Sequence, residues 1–417
     1  MKKKLMSAVA VAMAASMTLT ACGGAASSAA SASENTAPEA AATEAESNEG
    51  YKPMKIAFAA QAVDETFVEA KNALENEIGP ALNIEFMFSE AISDNGALNT
   101  FIENAYASGC DAVYTNVTGG IDQAAAVCND LGMYFVGISS AGAEENMEMP
   151  YYVGVAGASA EGYGEAYANA LNAVIGDGAE HSILILSGAA CYGATSFIEA
   201  TAGSLRALQD IYGLTYTEDV NALATSSTQV DAENDKGIKI TVCPGMQDIA
   251  TTVSPLLQSG DYDVLVGTSN IYDSLGVAVD EVEKALGKDI KFITRSMFSD
   301  STKAAFNSTD SQGSQVIDAI VLNGTYEHLA AVMMLRNAFD GHADAMRDGD
   351  HCSRVPGQIP LVVTTAEEYN ALSGDDMPFS FVTVDEVVGQ CNADATFHSI
   401  DELGASLTTE NILKKFG

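Results

Sequence analysis

Lys55-Ile56-Ala57-Phe58-Ala59-Ala60, followed by a polar loop and then by helical spacing from Phe67 to Glu77, is the stretch that decides the fold. Its apolar residues do not alternate with polar ones, so it reads as a strand covered on both faces, and the helix after it opens a βαβ unit. The same pattern continues along the chain. Ile84 to Phe88, Asp111 to Asn116, Met133 to Ile138 and Tyr152 to Ala156 are further strands. Helical spacing lies between them through Leu98, Phe101, Ile102 and Ala105, and a longer helix follows near residues 158–174. A second series begins at Ser182 to Leu186 and continues with strands near Ile238 to Val242, Val264 to Gly267 and Lys291 to Thr294. Helices near residues 194–212, 246–257 and 272–286 separate these strands, and Val316 to Leu322 runs into a helix from Tyr326 to Phe339. Alternation of this kind predicts an α/β protein. Two doubly wound parallel-sheet domains, connected more than once, fit this order better than one very large sheet.

Ahead of this body, Lys2, Lys3 and Lys4 precede an apolar stretch over residues 5–18 that is too short to span a bilayer. It reads as a secretory signal. Leu19-Thr20-Ala21-Cys22, followed by Gly23 and Gly24, resembles the lipobox of bacterial lipoproteins, which implies cleavage before Cys22 and lipidation of its thiol. Residues 23–50 contain no aromatic or large aliphatic side chain to bury, so they are expected to form a flexible tether with a reach of about 30 Å. Acyl chains on Cys22, at about 0.8 kcal/mol per buried methylene, would hold the chain on the membrane.

The 417 residues carry a formal net charge of -38, with 19 basic and 57 acidic side chains. A surface this acidic repels nucleic acid, and no basic patch opposes it. Six cysteines follow Cys22, at positions 110, 128, 191, 243, 352 and 391, with no CxxC pair among them. A zinc ribbon and a dithiol redox site are therefore unsupported. Export leaves disulfides open, with Cys110 and Cys128 the most local pair.

From about Met54 to Val362 the sequence resembles the type I periplasmic binding proteins, above all the ribose- and galactose-type sugar-binding lipoproteins of ABC transporters. Three local features carry the resemblance. Residues 55–67 are a strand and loop that end on a Phe at the first helix, and Ser108-Gly109-Cys110-Asp111-Ala112-Val113 leads into Asn116-Val117-Thr118. Val264-Leu265-Val266-Gly267-Thr268-Ser269-Asn270 fits the strand and helix start where the family places a ligand-binding Asn or Asp. The resemblance implies two lobes that close on a small solute, with hinges near residues 155–157, 322–324 and 360–363. The implied organisation is a signal peptide over 1–21, a tether over 22–50, one lobe from 51–156 plus 324–362, and a second lobe from 157–323. Residues 363–417 form an extension with a strand over Phe379 to Val384 and a helix at its end.

The resemblance also nominates a site. Gln61, Asp64, Thr66 and Phe67 follow the first strand, Ser139 and Ser140 follow the fourth, and Tyr192 lies beyond the strand that ends near Ser187. Asn270, Arg295 and Asn323 complete the set. Several have structural alternatives: Phe67 suits a core, Asn270 suits a helix cap, and Arg295 suits a surface ion pair. The chain departs from the sugar binders at Ser139 and Ser140, where an Asp-Arg pair often grips ring hydroxyls, and it has no Trp for ring stacking. A sugar is the leading solute, with nucleosides and polyols open.

No GxSxG elbow, HExxH, Walker A loop or GxGxxG after a strand is present, so no enzyme activity and no cofactor are expected. The acids and histidines between Asp340 and His351 follow no metal-ligand spacing, and Asp231 to Gly237 lacks the glycine position and twelfth-place Glu of an EF-hand. No metal is expected. The implied partners are a small polar solute, an ABC permease and, through the anchor, the extracytoplasmic face of the cell membrane, with the protein acting as a monomer. A sensor that signals to a receptor or histidine kinase is the alternative.

Overall fold

The computed structural model describes residues 50–417 apart from 118, 139–147, 193–194, 246–248 and 375, and leaves out the side chains of Glu65, Tyr192 and Ala250. The signal peptide, Cys22, nearly all of the tether, and Ser139 and Ser140 lie outside the described residues.

The first sheet begins with β1 (Met54–Ala59), β2 (Ile84–Phe88), β3 (Ala112–Thr115), β4 (Tyr134–Ile138) and β5 (Tyr152–Ala156). The second contains β6 (Ile183–Leu186), β7 (Val230–Asp231), β8 (Ile240–Cys243), β9 (Val264–Gly267), β10 (Lys291–Ser296) and β11 (Ala319–Leu322). The chain then returns to the first sheet with β12 (Arg347–Asp348) and β13 (His351–Val355), and ends in the second with β14 (Val362–Val363). Both sheets have seven strands, ordered β12-β13-β5-β4-β3-β1-β2 and β14-β11-β10-β9-β6-β8-β7. The pairings are parallel except at β12, β7 and β14, which add antiparallel edges. The α/β class with two doubly wound units is what the alternation predicted.

Burial explains why the strands were readable. In β1, residues 56–59 are all fully buried, because helices cover both faces of the sheet. Helix starts are equally local: Asp64, Asp94 and Ser159 each accept a backbone N–H from the first turn of the helix that follows. In the second unit, helices Ala160–Ile175 and Thr195–Tyr212 meet through small residues. A Cβ on Gly203 would sit 2.3 Å from the Gly164 carbonyl oxygen, so glycine sets the closeness of this approach.

The chain passes between the sheets after β5, after β11 and between β13 and β14. These passages are tied to one another. Gly157 N–H donates to the Val355 carbonyl at 3.0 Å, and Leu322 N–H donates to the Leu361 carbonyl at 2.8 Å. Gly157 has φ of 129°, which a side chain would strain.

One expectation needs correcting, and one open question is answered. Phe379 to Val384 is not a strand: Phe379–Phe381 form a 3-10 turn, and helix Val384–Gly389 follows, started by a capping box between Thr383 and Glu386. Cys110 and Cys128 do not pair. No disulfide joins any of the six described cysteines, and Cys110 instead rests 3.9 Å from the Met87 sulfur.

The C-terminal region belongs to neither sheet but packs on elements of both. Helix Ala366–Leu372 lies on helix Asp300–Phe306, which follows β10, while helix Phe397–Ala405 lies on helix Tyr326–Asn337 and β13.

Candidate functional site

In open α/β sheets the loops beyond the carboxyl ends of the strands gather ligand-binding groups. Beyond β1, Gln61 is exposed, and its backbone N–H donates to the Asn116 side-chain oxygen after β3, at 2.8 Å. Asp64 caps helix Glu65–Ala73 by accepting from Phe67 N–H at 3.0 Å. Thr66 reaches across to the other sheet, donating from its hydroxyl to the sulfur of Met297 beyond β10. Phe67 is only 7% exposed and packs against Phe58 and Phe88, so its ring serves the core of the first sheet.

On the second sheet, Asn270 is exposed, and its amide donates to the Asp273 carboxylate at 2.8 Å. The residue that begins helix Tyr272–Leu286 is Ile271, with no side-chain cap, so Asn270 is tied to Asp273 instead of capping the helix. The backbone of Tyr192 ends the short helix Ala189–Tyr192. The Asp64 cap on Phe67 N–H joins a side chain to a backbone, and few nominated side chains are bonded directly to one another.

Arg295 and Asn323 are. The Arg295 Nε donates to the Asn323 side-chain oxygen, and Nη2 donates to the Tyr163 hydroxyl at 2.6 Å. The guanidinium lies 4.0 Å from the Tyr163 ring centre and 5.3 Å from that of Phe197, a stacked cationic arrangement. Its Nη1 is buried, and no described residue accepts from it. A buried charged donor without an acceptor is unfavourable, and an acceptor supplied from outside would relieve it. This geometry answers the surface-ion-pair alternative, because Arg295 makes none of the described salt bridges.

Glu327 adds a switchable acid nearby. Burial pushes its carboxyl up to about 7 despite the attraction of Arg295. His328, the next residue, is held down to about 4 by burial among Phe58 and Tyr114, partly offset by Asp64. Tyr163, Phe197 and Glu327 were missed in the sequence. Tyr163 sits one turn after the Ser159 cap and could have been found by asking what faces the first passage between the sheets.

Among the described residues, one acidic trio lies away from these side chains. Glu283, Asp289 and Asp310 place one ligand atom each within 4.8 Å of one another. Glu283 already accepts Ile290 N–H at 2.8 Å, and burial lifts its carboxyl to about 7, so the group is explained by the fold.

No protein-family model and no curated protein matches the sequence. Solved structures do resemble it. One from Actinobacillus succinogenes, an ABC transporter periplasmic solute-binding protein with bound D-allose, has a TM-score of 0.54 at 13% identity, over 76% of this chain and 99% of its own. One from Bacillus halodurans, an ABC transporter solute-binding protein with bound myo-inositol, scores 0.51 at 16% identity, over 76% and 97%. The binding component of an arabinose ABC transporter from Shewanella, bound to L-arabinofuranose, scores 0.51 at 13% identity, over 76% and 94%. The chain has the fold of ABC-transporter solute-binding proteins. In that fold, Arg295 and Asn323 stand where the second sheet meets a passage between the two sheets. No helix among the described residues is long and apolar enough to cross a membrane.

Proposed function

We propose that this chain is an extracytoplasmic solute-binding lipoprotein of an ABC importer, which captures a sugar or similar small polar solute by closing two lobes on it. The observation that carries the reading is the Arg295 guanidinium, stacked on Tyr163 and Phe197, with one buried Nη1 lacking an acceptor. A sugar hydroxyl or ring oxygen is an acceptor of the right kind, and an aromatic wall suits a sugar's apolar face. Around Arg295 we place Gln61, Asp64, Thr66, Asn270 and Asn323, propose Ser139, Ser140 and Tyr192 as further contacts, and give Phe67 a supporting role. The lobes are 51–156 with 324–362, and 157–323, with bending at the three passages and residues 363–417 packed against them. The protein acts as a monomer and not as an enzyme. Cys22 is its lipid anchor and residues 22–50 the tether that keeps captured solute near the permease.

The test is calorimetry of the protein with pentoses, hexoses, inositols and nucleosides. At least one sugar or polyol should bind, and Arg295→Met should weaken it by 100-fold or more without changing the cooperative melt. If no solute of these classes binds, or Arg295→Met binds as tightly as the native chain, the reading fails.

A further inference from the structure

Asn323, the partner of Arg295, also lines a cavity of about 350 Å³ whose other walls none of the readings above uses. Four parts of the chain enclose it: a flank of helix Glu65–Ala73, the loop after β10, the passages near Leu322 and Leu361, and the turn between helices Ala366–Leu372 and Val384–Gly389. We propose that this cavity is a second small-molecule site, one that takes a ligand with an apolar body and a protonated amine. The proposal stands without the solute reading, since nothing in it requires a sugar to bind elsewhere.

The volume is within the range of small-ligand sites. The walls are soft and apolar: Phe298, Phe379 and Phe381 supply rings, and Met297 and Met377 supply thioethers that adapt to an apolar partner. Among the described residues, two charged side chains line the cavity, Glu69 and Glu77, and no Lys, Arg or His does. A bound anion would have no charged donor, whereas an ammonium would meet two carboxylates and the electron-rich faces of the rings. The chemistry of the lining therefore selects for positive charge.

The chain also holds this wall in a conformation that it would not adopt unaided. Ser380 and Phe381 have φ of 58° and 60°, two consecutive non-glycine residues in the left-handed region. Each such residue is unfavourable, because its Cβ crowds the following carbonyl oxygen. The surroundings enforce the turn: Ser380 Oγ donates to Thr325 Oγ1 at 3.0 Å, Phe381 meets Phe298 edge-on, and Phe379 leans on His328. Strain of this kind is concentrated where a particular surface is needed.

The enclosing turn is anchored on both sides. Tyr369 stacks on Phe306 and donates from its hydroxyl to the Ser299 carbonyl, both near β10. On the other side, the Asn337 amide donates to the Gln390 carbonyl at 2.7 Å, and the Tyr326 hydroxyl donates to the Ile400 carbonyl, both from the helix that packs on the first sheet. A ligand in the cavity would touch the helix that follows β1 of the first sheet and Leu322 of β11 in the second at once. Its occupancy would favour the arrangement described here over a more open one.

Three probes of one size test the proposal: phenethylamine, 2-phenylethanol and phenylacetate, titrated calorimetrically into the native chain at pH 7. The amine should bind at least 10-fold more tightly than the alcohol, and phenylacetate should not bind. Met377→Trp, which fills the space, should abolish amine binding. The pair Glu69→Gln and Glu77→Gln should cut the preference for amine over alcohol at least 5-fold. Arg295→Met, which lies outside the lining, should bind the amine as the native chain does, which separates this site from the proposed solute site. The proposal is overturned if the three probes bind alike, if none binds to a chain that melts cooperatively, or if Met377→Trp retains the native amine affinity.

Discussion

The two sheets solve the same packing problem with different side chains. Under the first, rings dominate: Phe58 stacks on Tyr114 with centroids 4.4 Å apart, touches Phe67 and Phe88, and meets His328 edge-on at 5.1 Å. Under the second, β6 and β9 contribute Ile183, Leu184, Ile185, Leu186, Val264 and Val266, and two neighbouring helices approach through glycines and alanines. Aromatic rings give the first unit a few large contacts that depend on one another, whereas the aliphatic unit spreads its packing over many small ones. The first unit therefore supports Asp64 and Thr66 on a stiff aromatic floor, and the second carries its cation, Arg295, in a separate aromatic bracket.

Removing the central ring is the strongest way to break that comparison. Phe58→Ala should cost about 3–5 kcal/mol in urea unfolding, at the upper end for a single core truncation, because Tyr114, Phe67 and His328 all lose a neighbour. In the aliphatic unit, Ile185→Val should cost only about 0.5–1.5 kcal/mol, since Ile185 sits fully buried among other branched side chains. Equal losses from Phe58→Ala and Ile185→Val would mean that the ring cluster is not cooperative and that the contrast between the units is only one of composition.

The parts of this architecture that could be read in advance are those with a local cause. β6, β9 and β1 from Ile56 onward are continuous apolar runs because both faces are buried, and helix starts announce themselves through Asp64 and Ser159. β7, β12 and β14 are two-residue antiparallel additions, too short to show any period. Phe379 to Val384 reads as a strand because it is rich in aromatic and β-branched residues, but the capping box at Thr383 and the anchoring of Ser380 on Thr325 decide otherwise. Arg295 stood out as a lone base after an apolar strand. Its partners Tyr163 and Phe197 did not, because they lie about a hundred residues or more upstream on helices whose facing sides only the assembled fold defines. The same distance hides the C-terminal wrap, where the Tyr51 hydroxyl donates to the Cys391 carbonyl at 2.8 Å.

Acid should expose a weakness confined to the aromatic unit. Burial depresses the pKa of His328 to about 4, so the folded chain keeps it neutral where the unfolded chain would protonate it below about 6.5. The stability linked to this group is complete above pH 6.5 and is lost as pH falls towards 4. At pH 5 the loss relative to pH 7.5 should be roughly 2 kcal/mol, from about 1.4 kcal/mol per pH unit. His328→Leu removes the titration, so the difference in unfolding free energy between variant and native chain should shift in the variant's favour by that amount between the two pH values. A pH-independent difference would show that His328 is not what makes the aromatic unit acid-sensitive.

The aliphatic unit should show the opposite sign. Glu283 is almost inaccessible, and burial, reinforced by Asp310, Asp289 and Asp280, raises its carboxyl from 4.5 to about 7. Its folded pKa lies above its unfolded one, so the contribution is most favourable below pH 4.5 and is lost as pH rises through 7. The full shift would correspond to about 3 kcal/mol, and water around the partly open acidic cluster reduces this to roughly 1–2 kcal/mol. Glu283→Gln keeps an oxygen that can accept the Ile290 N–H and removes the charge. It should therefore stabilise the chain by roughly 1–2 kcal/mol at pH 8 and change it little at pH 4, measured by urea unfolding at both values. Together with the His328 variant this gives two buried groups opposite pH signatures: the neutral imidazole is sensitive to acid, and the crowded carboxyl is sensitive to base. If Glu283→Gln were destabilising at pH 8, the carboxylate would have to be gaining more from its N–H donor than it loses to its acidic neighbours, and the contrast would reduce to His328.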